Sequence, residues 1–381
     1  MKYIALRDVC EINMGQSPDS SSYNEEGRGI PFFQGNADFG ERNPVTRVWC
    51  DAPSKIAKAN DILISVRAPI GAVNYATETC CIGRGLAAIT PDLKRVSSEY
   101  VFWLLKGKNA ELNSKGTGST FKAINRKALE EIQVPDVSLE EQAAHAANLE
   151  AAYKIIQMRK QQLFTLDDLI KARFVEMFIG RDYPLISVGN LSLGKGEYGA
   201  QSASVKYDSN RPRYVRITDI NDDGTLNDDV VSSSNVEDDK QYKLCYGDFL
   251  FARMGATVGK TYAYKEGNQI YAGYLIRYKL NLEQILPEYL FAFTKLNQYW
   301  SWVKLNQSGA AQPGINAKKY DSLQIPVAPM REQKAFQSFA AQIDKSKSVI
   351  QKSLDETQLL FDSLMQKYFG GEKYIFTTTT C

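Results

Sequence analysis

Two long stretches of the chain repeat apolar side chains at heptad spacing, with polar positions between them. The apolar seam positions are Leu149, Ile156, Leu163 and Ile170 in the first stretch, and Phe336, Ile343, Ile350, Leu354 and Phe361 in the second. A seam of this length is typical of a coiled coil, in which the apolar stripes of neighbouring helices pack together. Lys160, Asp167, Lys347 and Thr357 interrupt the seam, and polar residues at such positions tend to fix the register of the pair.

Shorter patterns predict strands and amphipathic helices ahead of each long stretch. The segments "NDILISVRAPIGAVNYA" from Asn60 and "GDFLFARMGATVGKTYA" from Gly247 alternate apolar and polar residues, so each predicts a pair of strands joined by a turn. The segments "SSEYVFWLLKGKNAEL" from Ser97 and "LPEYLFAFTKLNQYW" from Leu286 each predict a short amphipathic helix. Because these segments recur in the same order, each long helix is expected to follow a mixed α/β globule.

A doubled motif lies immediately before each long helix. It reads "INRKALEEIQVPDVSLEEQ" from Ile124 and "INAKKYDSLQIPVAPMREQ" from Ile315. Ser138 and Glu141 in the first copy have the spacing of a capping box, which predicts the start of a helix. A repeat of this length is too long for a solenoid unit and corresponds to a domain with its connector.

The order of these patterns predicts an α+β protein in which two homologous mixed α/β globules are separated by two long coiled-coil helices. Since the second globule lies between the helices, the helices can pack on each other only if they are antiparallel. The expected shape is a dumbbell with an approximate two-fold axis. The expected boundaries are 1–137 and 180–327 for the globules, 138–179 and 328–371 for the helices, and 372–381 for a poorly ordered tail.

Composition and charge narrow the class of protein. The chain has 381 residues, a formal net charge of +2 and 44% hydrophobic residues, so ordinary cores are expected and global charge indicates no nucleic-acid partner. We find no run of about 18 apolar residues, and "MKYIALRDVCEI" carries charges, so neither a membrane span nor a signal peptide is expected. Six cysteines without a C-x-x-C pair indicate reduced thiols in a cytoplasmic protein.

The sequence offers no catalytic constellation and no metal site. Its single histidine, His145, lies on the first long helix, where a solvated or interface residue is expected. The "D/N-P-P-Y/F" motif of methyltransferases is absent. The "GKGEYG" segment from Gly194 precedes a loop-like segment instead of a helix, and "GATVGKT" from Gly255 lacks one residue of the P-loop spacing. A turn between strands is the expectation for the second segment.

The doubled "IN…L..I.VP…EQ" signature, the doubled "D.L…R…G" block and the long helices resemble the specificity subunit of Type I restriction-modification systems. The resemblance covers the chain to about Gly371. It implies that each globule is a target-recognition domain that reads one half of a bipartite DNA site, and that each helix is a conserved spacer. Because the globules differ in sequence, the half-sites are expected to differ and the whole site to be asymmetric.

The same resemblance implies a set of partners. Double-stranded DNA, two methyltransferase (modification) subunits docked on the helices, and restriction subunits are expected. S-adenosylmethionine, ATP and magnesium are expected on those partner subunits, which would carry adenine methyltransferase and ATP-dependent endonuclease activity. This chain is therefore expected to be a non-catalytic recognition subunit without a cofactor or membrane contact of its own.

Polar loops precede the long helices in both globules, so they are expected to share a task. That task is phosphate contact or, as the alternative, a structural turn. The candidate residues are Lys115, Ser119, Thr120, Lys122, Gln307, Ser308, Gln312 and Lys318. Arg67 and Arg253 follow strands that the repeat matches, so phosphate contact or internal pairing is expected for them as well.

Sequence-specific contacts are expected where the globules differ, from side chains that can pair with base edges. The candidates are Arg28, Gln34, Asn36 and Arg42 in the first globule, and Asn210, Arg211, Arg213 and Arg216 in the second. For each of them a plain solvated side chain is the alternative. The acidic stretch 219–239 would repel phosphate and is expected to form an outward, solvated loop.

Two other functions remain open at this point. The chain could be an orphan or silent specificity cassette that lacks a working partner. It could also be a coiled-coil scaffold that does not bind DNA and whose globules bind protein, which would predict no clustered positive surface.

Overall fold

The computed structural model describes residues 2–117, 122–309 and 313–370, and the chain divides into two compact units. Unit 1 comprises the chain up to Lys160 together with the chain from Lys352 onward, and unit 2 runs from Gln161 to Gln351. The division passes through both long helices, so each unit combines a globule with one part of each helix. The predicted tail 372–381 lies outside the described residues.

Unit 1 contains short strands, short helices and the first part of a long helix. Its strands are β1 (Tyr3–Ala5), β2 (Cys10–Met14), β3 (Tyr23–Asn24), β4 (Ile30–Phe33), β5 (Trp49–Cys50), β6 (Ile56–Ala57), β7 (Ile62–Ser65), β8 (Val73–Tyr75), β9 (Cys80–Ile82), β10 (Leu86–Pro91) and β11 (Gln133–Pro135). Its helices are α1 (Ser98–Gly107), α2 (Asn109–Ser114), α3 (Arg126–Glu130) and the beginning of α4 (Leu139–Phe178).

The core of unit 1 lies between a sheet of order β2-β10-β7-β8 and a sheet of order β3-β5-β4-β9-β6. Leu63 of β7 packs against Phe33 and Ile82 of the second sheet, and all three are buried. Helix α1 contacts β7, β8 and β10. The antiparallel hairpin β7–β8 confirms the strand pair predicted from the alternating pattern after Asn60.

Unit 2 repeats this plan with other side chains. Its strands are β12 (Leu185–Ser187), β13 (Glu197–Tyr198), β14 (Ser204–Lys206), β15 (Arg213–Val215), β16 (Val231–Ser233), β17 (Asp248–Ala252), β18 (Thr261–Ala263), β19 (Gln269–Tyr271), β20 (Leu275–Lys279) and β21 (Gln324–Pro326). Its helices are α5 (Asp238–Gln241), α6 (Pro287–Phe293), α7 (Asn297–Asn306), α8 (Ala317–Asp321) and the beginning of α9 (Met330–Phe369).

The sheet of order β13-β20-β17-β18 in unit 2 corresponds strand by strand to β2-β10-β7-β8 in unit 1. The parallel pair β15–β19 corresponds to the parallel pair β4–β9. Helix α6 contacts β18 as α1 contacts β8. The predicted α+β class, the duplicated globules and the long helices α4 and α9 are therefore confirmed.

The long helices run antiparallel within unit 1. His145 stacks on Tyr368 at 3.8 Å between ring centroids, and Tyr153, further along α4, faces Phe361, earlier in α9. Trp103 of α1 contacts Tyr153 and Phe361, so the globule packs on this end of the helix pair. Leu149, Ile156, Leu354 and Phe361 of the predicted seam are buried here.

The helices also run antiparallel within unit 2. Asp167 pairs with Lys347. Phe174, which lies about two helical turns further along α4, contacts Phe336 near the start of α9. Two of the polar residues that interrupt the seam therefore pair with each other, which supports a role in register. Phe336 of the predicted seam is buried, whereas the remaining seam positions are half-buried: Leu163, Ile170, Ile343 and Ile350.

The doubled motif forms the same connection in both units. Asn125 caps α3 through the amide of Ala128, and Asn316 caps α8 through the amide of Lys319. The following strands β11 and β21 pair antiparallel with β1 and β12. The predicted capping box is present, since the Glu141 carboxylate accepts from the Ser138 amide at 3.0 Å and the Glu141 amide donates to the Ser138 hydroxyl at 3.2 Å.

Candidate nucleic-acid interface

The ends of several strands meet at one edge of unit 1. The Val66 amide donates to the Gly85 carbonyl at 2.9 Å, and the Gly85 amide donates to the Gln34 carbonyl at 3.1 Å. The Ala68 amide donates to the Lys122 carbonyl at 3.0 Å. These bonds hold the exposed side chains of Gln34, Arg67, Arg84 and Lys122 side by side, and we call this group strand-end surface 1.

Glycines permit this close approach of chain segments. A Cβ atom on Gly85 would lie 2.4 Å from the Gln34 carbonyl oxygen, and one on Gly15 would lie 2.2 Å from the Gly83 carbonyl oxygen. Any larger residue at either position would therefore push the strand ends apart. Backbone crowding at this edge holds Arg84 between the end of β4 and the end of β7.

The charge of strand-end surface 1 is not compensated within the described part of the chain. Arg67, Arg84 and Lys122 form no salt bridge there, whereas nearby Lys115 pairs with Glu111 at 2.6 Å. Exposed cations grouped in this way attract phosphate. Sequence reasoning missed Arg84, although its position in a Gly-Arg-Gly turn between buried strands was a usable signal.

Unit 2 presents the equivalent edge, which we call strand-end surface 2 and define as Tyr198, Gln201, Arg216, Arg253 and Tyr274. The Arg253 amide donates to the Tyr274 carbonyl at 3.0 Å, matching the bond between Val66 and Gly85. The guanidinium of Arg253 lies 4.7 Å from the centroid of the Tyr198 ring. Tyr198 and Tyr274 are 41% and 54% exposed. This edge therefore adds aromatic and amide groups to the Arg253 cation, whereas unit 1 offers three cations and one amide.

The prediction that Arg67 and Arg253 occupy matched positions is wrong. Ile315 bonds to the Arg253 carbonyl just as Ile124 bonds to the Val66 carbonyl. The isolated β-bridges pair Arg67 with Ala123 and Met254 with Gly314. Arg253 is therefore equivalent to Val66, and Met254 is equivalent to Arg67. Asp61 and Asp248 are equivalent, but the arginine of unit 1 comes one position later in the chain than that of unit 2, and successive side chains of an extended segment lie on opposite faces.

Arg216 and Gln34 occupy equivalent places after β15 and β4, but their surroundings differ. The Gln34 amide donates to the Asp38 carboxylate at 2.7 Å, and the Arg216 amide donates to the Asp219 carboxylate at 2.8 Å. The Arg216 side chain is also bound by Asp219 and by Asp229, each at 2.7 Å. Carboxylates neutralise this arginine, so it contributes little to a positive surface.

Several other predicted base-reading arginines are bound inside their own unit. Arg211 makes a two-pronged ion pair with Asp239 at 2.7 and 2.8 Å. Arg213 donates to the Asn227 carbonyl at 2.6 Å. The acidic stretch 219–239 thus supplies internal partners, and Asp219 is fully buried. The expectation that this stretch is an outward, solvated loop is therefore wrong for Asp219 and Asp238, which are buried, and for the part that forms strand β16.

Arg42 is held against the long helix of unit 1. Its guanidinium donates to Glu150 at 2.8 Å and lies 4.5 Å from the centroid of the Phe102 ring. Lys106 lies nearby, 4.1 Å above the Tyr153 ring, and burial lowers the pKa of its ammonium to about 8. Arg42 therefore joins the globule to α4, which explains its presence without any contact to DNA.

The remaining candidates lie on the surface or outside the described residues. Arg28 pairs with Glu26 at 3.3 Å, and the Asn210 amide donates to the Asp208 carboxylate at 2.9 Å. Asn36 is half-buried. The exposed candidates in the polar loops are Lys115, Lys122, Gln307, Ser308 and Lys318. Those outside the described residues are Ser119, Thr120 and Gln312.

The glycine motifs form no nucleotide site. Strand β13 lies within "GKGEYG", and strand β14 follows it where a dinucleotide site needs a helix. Gly199 of this motif is required for packing, because a Cβ atom there would lie 2.4 Å from the carbonyl oxygen of Ala272. The "GATVGKT" segment forms the turn between β17 and β18, as predicted.

The described residues offer neither a metal site nor a membrane span. They contain no group of three or more His, Cys, Asp or Glu side chains arranged to hold a metal ion. Across the same residues, we find no helix that combines the length and apolar character needed to cross a membrane.

Comparison with known proteins identifies the family. The model of the family described as "Type I restriction modification DNA specificity domain" matches residues 1–166 and again residues 187–357. These matches cover most of the chain, one for each globule with part of the helix that follows it. The chain belongs to this family, which confirms the resemblance read from the doubled motifs.

Individual relatives agree with this assignment. The chain is 45% identical over 152 residues to the MjaX type I restriction enzyme specificity subunit of Methanocaldococcus jannaschii, a match that covers 40% of this chain and 36% of that protein. It is 29% identical over 185 residues to the MjaIX specificity subunit of the same organism, covering 46% of this chain and 43% of that protein. In each of these two matches, the chain therefore spans less than half the length of the curated relative.

A solved structure resembles almost the whole chain. The S subunit of a Type I restriction-modification system from M. genitalium matches 97% of this chain and 96% of its own, with a TM-score of 0.57. The sequence identity is 14%, so this likeness concerns the fold.

Proposed function

We propose that this chain is the DNA-specificity subunit of a Type I restriction-modification complex, and that strand-end surfaces 1 and 2 each contact one half of a bipartite DNA site. The observation that carries the proposal is the pair of structurally equivalent surfaces with different side chains. Duplication of the fold accounts for two readers, and the difference in side chains accounts for two unlike half-sites. Helices α4 and α9 would hold the readers at a fixed spacing, so the bases between them go unread.

Strand-end surface 1 is suited to phosphate and base contact together. Arg67 and Lys122 lie on adjacent chain segments and would bind phosphates, because exposed cations without carboxylate partners displace the counterions condensed on DNA. Gln34 and Arg84 carry the donor and acceptor groups that recognise base edges. Positioning and recognition would then be divided among neighbouring side chains.

The chemistry of the complex would belong to partner subunits. S-adenosylmethionine, ATP and magnesium would bind to modification and restriction subunits, and this chain would remain a non-catalytic reader in the cytoplasm. Large apolar side chains are exposed on the long helices: Met158, Phe164, Val349, Leu359 and Leu360. Exposed apolar groups of this size mark protein interfaces, so they are the proposed contacts for the modification subunits.

Removal of charge from strand-end surface 1 tests the DNA interface. We expect the double variant Arg67→Gln/Lys122→Gln to bind duplex DNA more weakly at all sequences. The slope of log affinity against log salt should fall by about 1–2, since about 0.9 counterion is released per phosphate contact. The measurement is a salt titration of binding with the full chain assembled with its modification subunits.

The matched control is Lys58→Gln/Lys94→Gln. These exposed lysines lie next to the opposite ends of β7 and β10, away from strand-end surface 1. The control should bind as the parent chain does. Equal binding by both double variants would count against the proposed interface and favour a scaffold that does not bind DNA.

A further inference from the structure

Arg84 lies at the centre of strand-end surface 1. The Gly83–Gly85 turn is flanked on one side by Gln34, after β4, and on the other by Val66, after β7. The backbone amide of Arg84 donates to the Ser17 hydroxyl at 3.3 Å. Its side chain is exposed and forms no ion pair within the described residues. The guanidinium is therefore available at the middle of the surface, whereas Arg67 and Lys122 lie to one side.

Unit 2 has a different side chain at the same place. The backbone bonds of the turn correspond, since Gln16 donates to the Ile82 carbonyl and Ala200 donates to the Tyr271 carbonyl. The residue equivalent to Arg84 is Gly273, which has no side chain to offer. The exposed Gln201 covers it instead, because a Cβ atom on Gly273 would lie 2.1 Å from Gln201 Nε2.

Gln201 retains most of its pairing capacity. Its Nε2 donates to the Gly199 carbonyl at 3.3 Å, and among the described residues its second N–H and its carbonyl oxygen Oε1 have no partner. A guanidinium fork matches the O6 and N7 acceptors of guanine, and a carboxamide matches the N6 donor and N7 acceptor of adenine. The two surfaces therefore present complementary groups for different purines at equivalent positions.

Resting on the proposed function, we propose that Arg84 and Gln201, whose side chains occupy the same place on the two surfaces, are specificity-determining residues: Arg84 reads a guanine in the half-site of unit 1, and Gln201 reads an adenine in the half-site of unit 2. The central position of each side chain favours a base over a phosphate contact. The carboxamide of Gln201 also favours a base contact, because it has both the donor and the acceptor that adenine requires.

Base-resolution mapping of methylated adenines tests this assignment. The samples are cells that express the modification subunits with the parent chain, Arg84→Gln or Gln201→Arg. We expect Arg84→Gln to lose the requirement for one guanine in one half-site and to leave the other half-site unchanged. Gln201→Arg should change one adenine of the other half-site. Discrimination at the affected base should fall on the order of 10- to 100-fold, the range for a bidentate contact.

Lys94→Gln is the control, since Lys94 lies just beyond the other end of β10, and its motif should be that of the parent chain. If a variant complex no longer methylates, competition among duplexes with each of the four bases at the position replaces the mapping. Lost preference for the guanine or adenine supports the assignment. An unchanged motif, or an equal loss of affinity at every sequence, overturns it. A parent complex that methylates no split motif overturns the proposed function itself.

Discussion

Gln142 and Gln333 stand at the same position in the doubled motif, and each is a buried centre of hydrogen bonds. The Gln142 carbonyl accepts from the Ser97 amide at 2.8 Å, and its Nε2 donates to the Arg95 and Val137 carbonyls. Gln333 makes the equivalent three bonds, to the Leu286 amide and to the Gln284 and Ala328 carbonyls. Each glutamine joins a long helix to the start of a globule helix, which explains why both copies contain it.

Replacement of either glutamine should destabilise its own unit. We expect Gln142→Ala and Gln333→Ala each to lower the free energy of unfolding by about 2–4 kcal/mol, because three buried or part-buried backbone groups lose their partners. Urea unfolding measures the change in free energy, and hydrogen exchange at the Ser97 amide reports the local loss in unit 1.

Gln133→Ala and Gln324→Ala are matched controls for that test. These exposed glutamines each donate to one nearby carbonyl, and their loss should cost less than about 0.5 kcal/mol. If Gln142→Ala unfolded at the same urea concentration as Gln133→Ala, the role assigned to Gln142 would be wrong.

The arginines show which properties of single residues could not be predicted from the sequence. Arg42 and Arg211 stand in polar segments typical of DNA readers, yet Glu150 and Asp239 bind them. Arg42 is 108 residues from its partner, so no local pattern could reveal the pair. Arg84 was not among the predicted residues, because its place beside the ends of β4 and β7 is established only in the folded unit.

At the scale of elements, the long helices were predictable almost to the residue. Helix α4 covers Leu139–Phe178 and α9 covers Met330–Phe369, within one or two residues of the expected 138–179 and 328–371. The heptad seam and the capping box are patterns of residues close together in the sequence, so they can be recognised without knowledge of the tertiary structure. The short strands were less predictable, because elements of two or three residues carry too little periodicity.

His145 is expected to make the stability of the helix pair in unit 1 depend on pH. It stacks on Tyr368 of α9, and its Nδ1 has no hydrogen-bond partner among the described residues. Burial lowers the pKa of the imidazole below its ordinary value of 6.5, and the charge of Lys367 lowers it further while Glu141 acts in the opposite direction. The imidazole of His145 therefore stays neutral in the folded unit, whereas the same imidazole in the unfolded chain takes up a proton as the pH falls.

This difference in bound protons determines how the free energy of unfolding changes with pH. Below about pH 6.5 the unfolded state binds more protons, so the free energy of unfolding should decrease as the pH falls towards the lowered pKa. His145→Phe keeps an aromatic ring on Tyr368 and cannot titrate. We expect its stability, measured by urea unfolding at several pH values, to fall less between pH 6.5 and 5.5 than that of the parent chain. Identical pH profiles would contradict this account.

At the scale of the whole molecule, duplication was visible because both copies retain the residues that connect globule to helix. Asn125 and Asn316 cap helices, and Pro135 and Pro326 end the paired strands, so the same local geometry demands the same residues. It was harder to predict which residues within the two globules are equivalent. The false match of Arg67 with Arg253 arose because these arginines follow the equivalent residues Asp61 and Asp248 at different distances, so they stand at neighbouring and not at equivalent positions.

The central claim is that two unlike surfaces of one chain read two unlike half-sites. The most direct measurement is base-resolution mapping of methylated adenines in cells that express this chain with modification subunits, compared with the modification subunits alone. The chain should produce a new motif with two fixed parts around an unread gap of constant length. Exchange of residues 1–137 for those of another family member should change one part and leave the other intact. A complex that forms but yields no new methylation, or a motif that changes in both parts after the exchange, would contradict the claim.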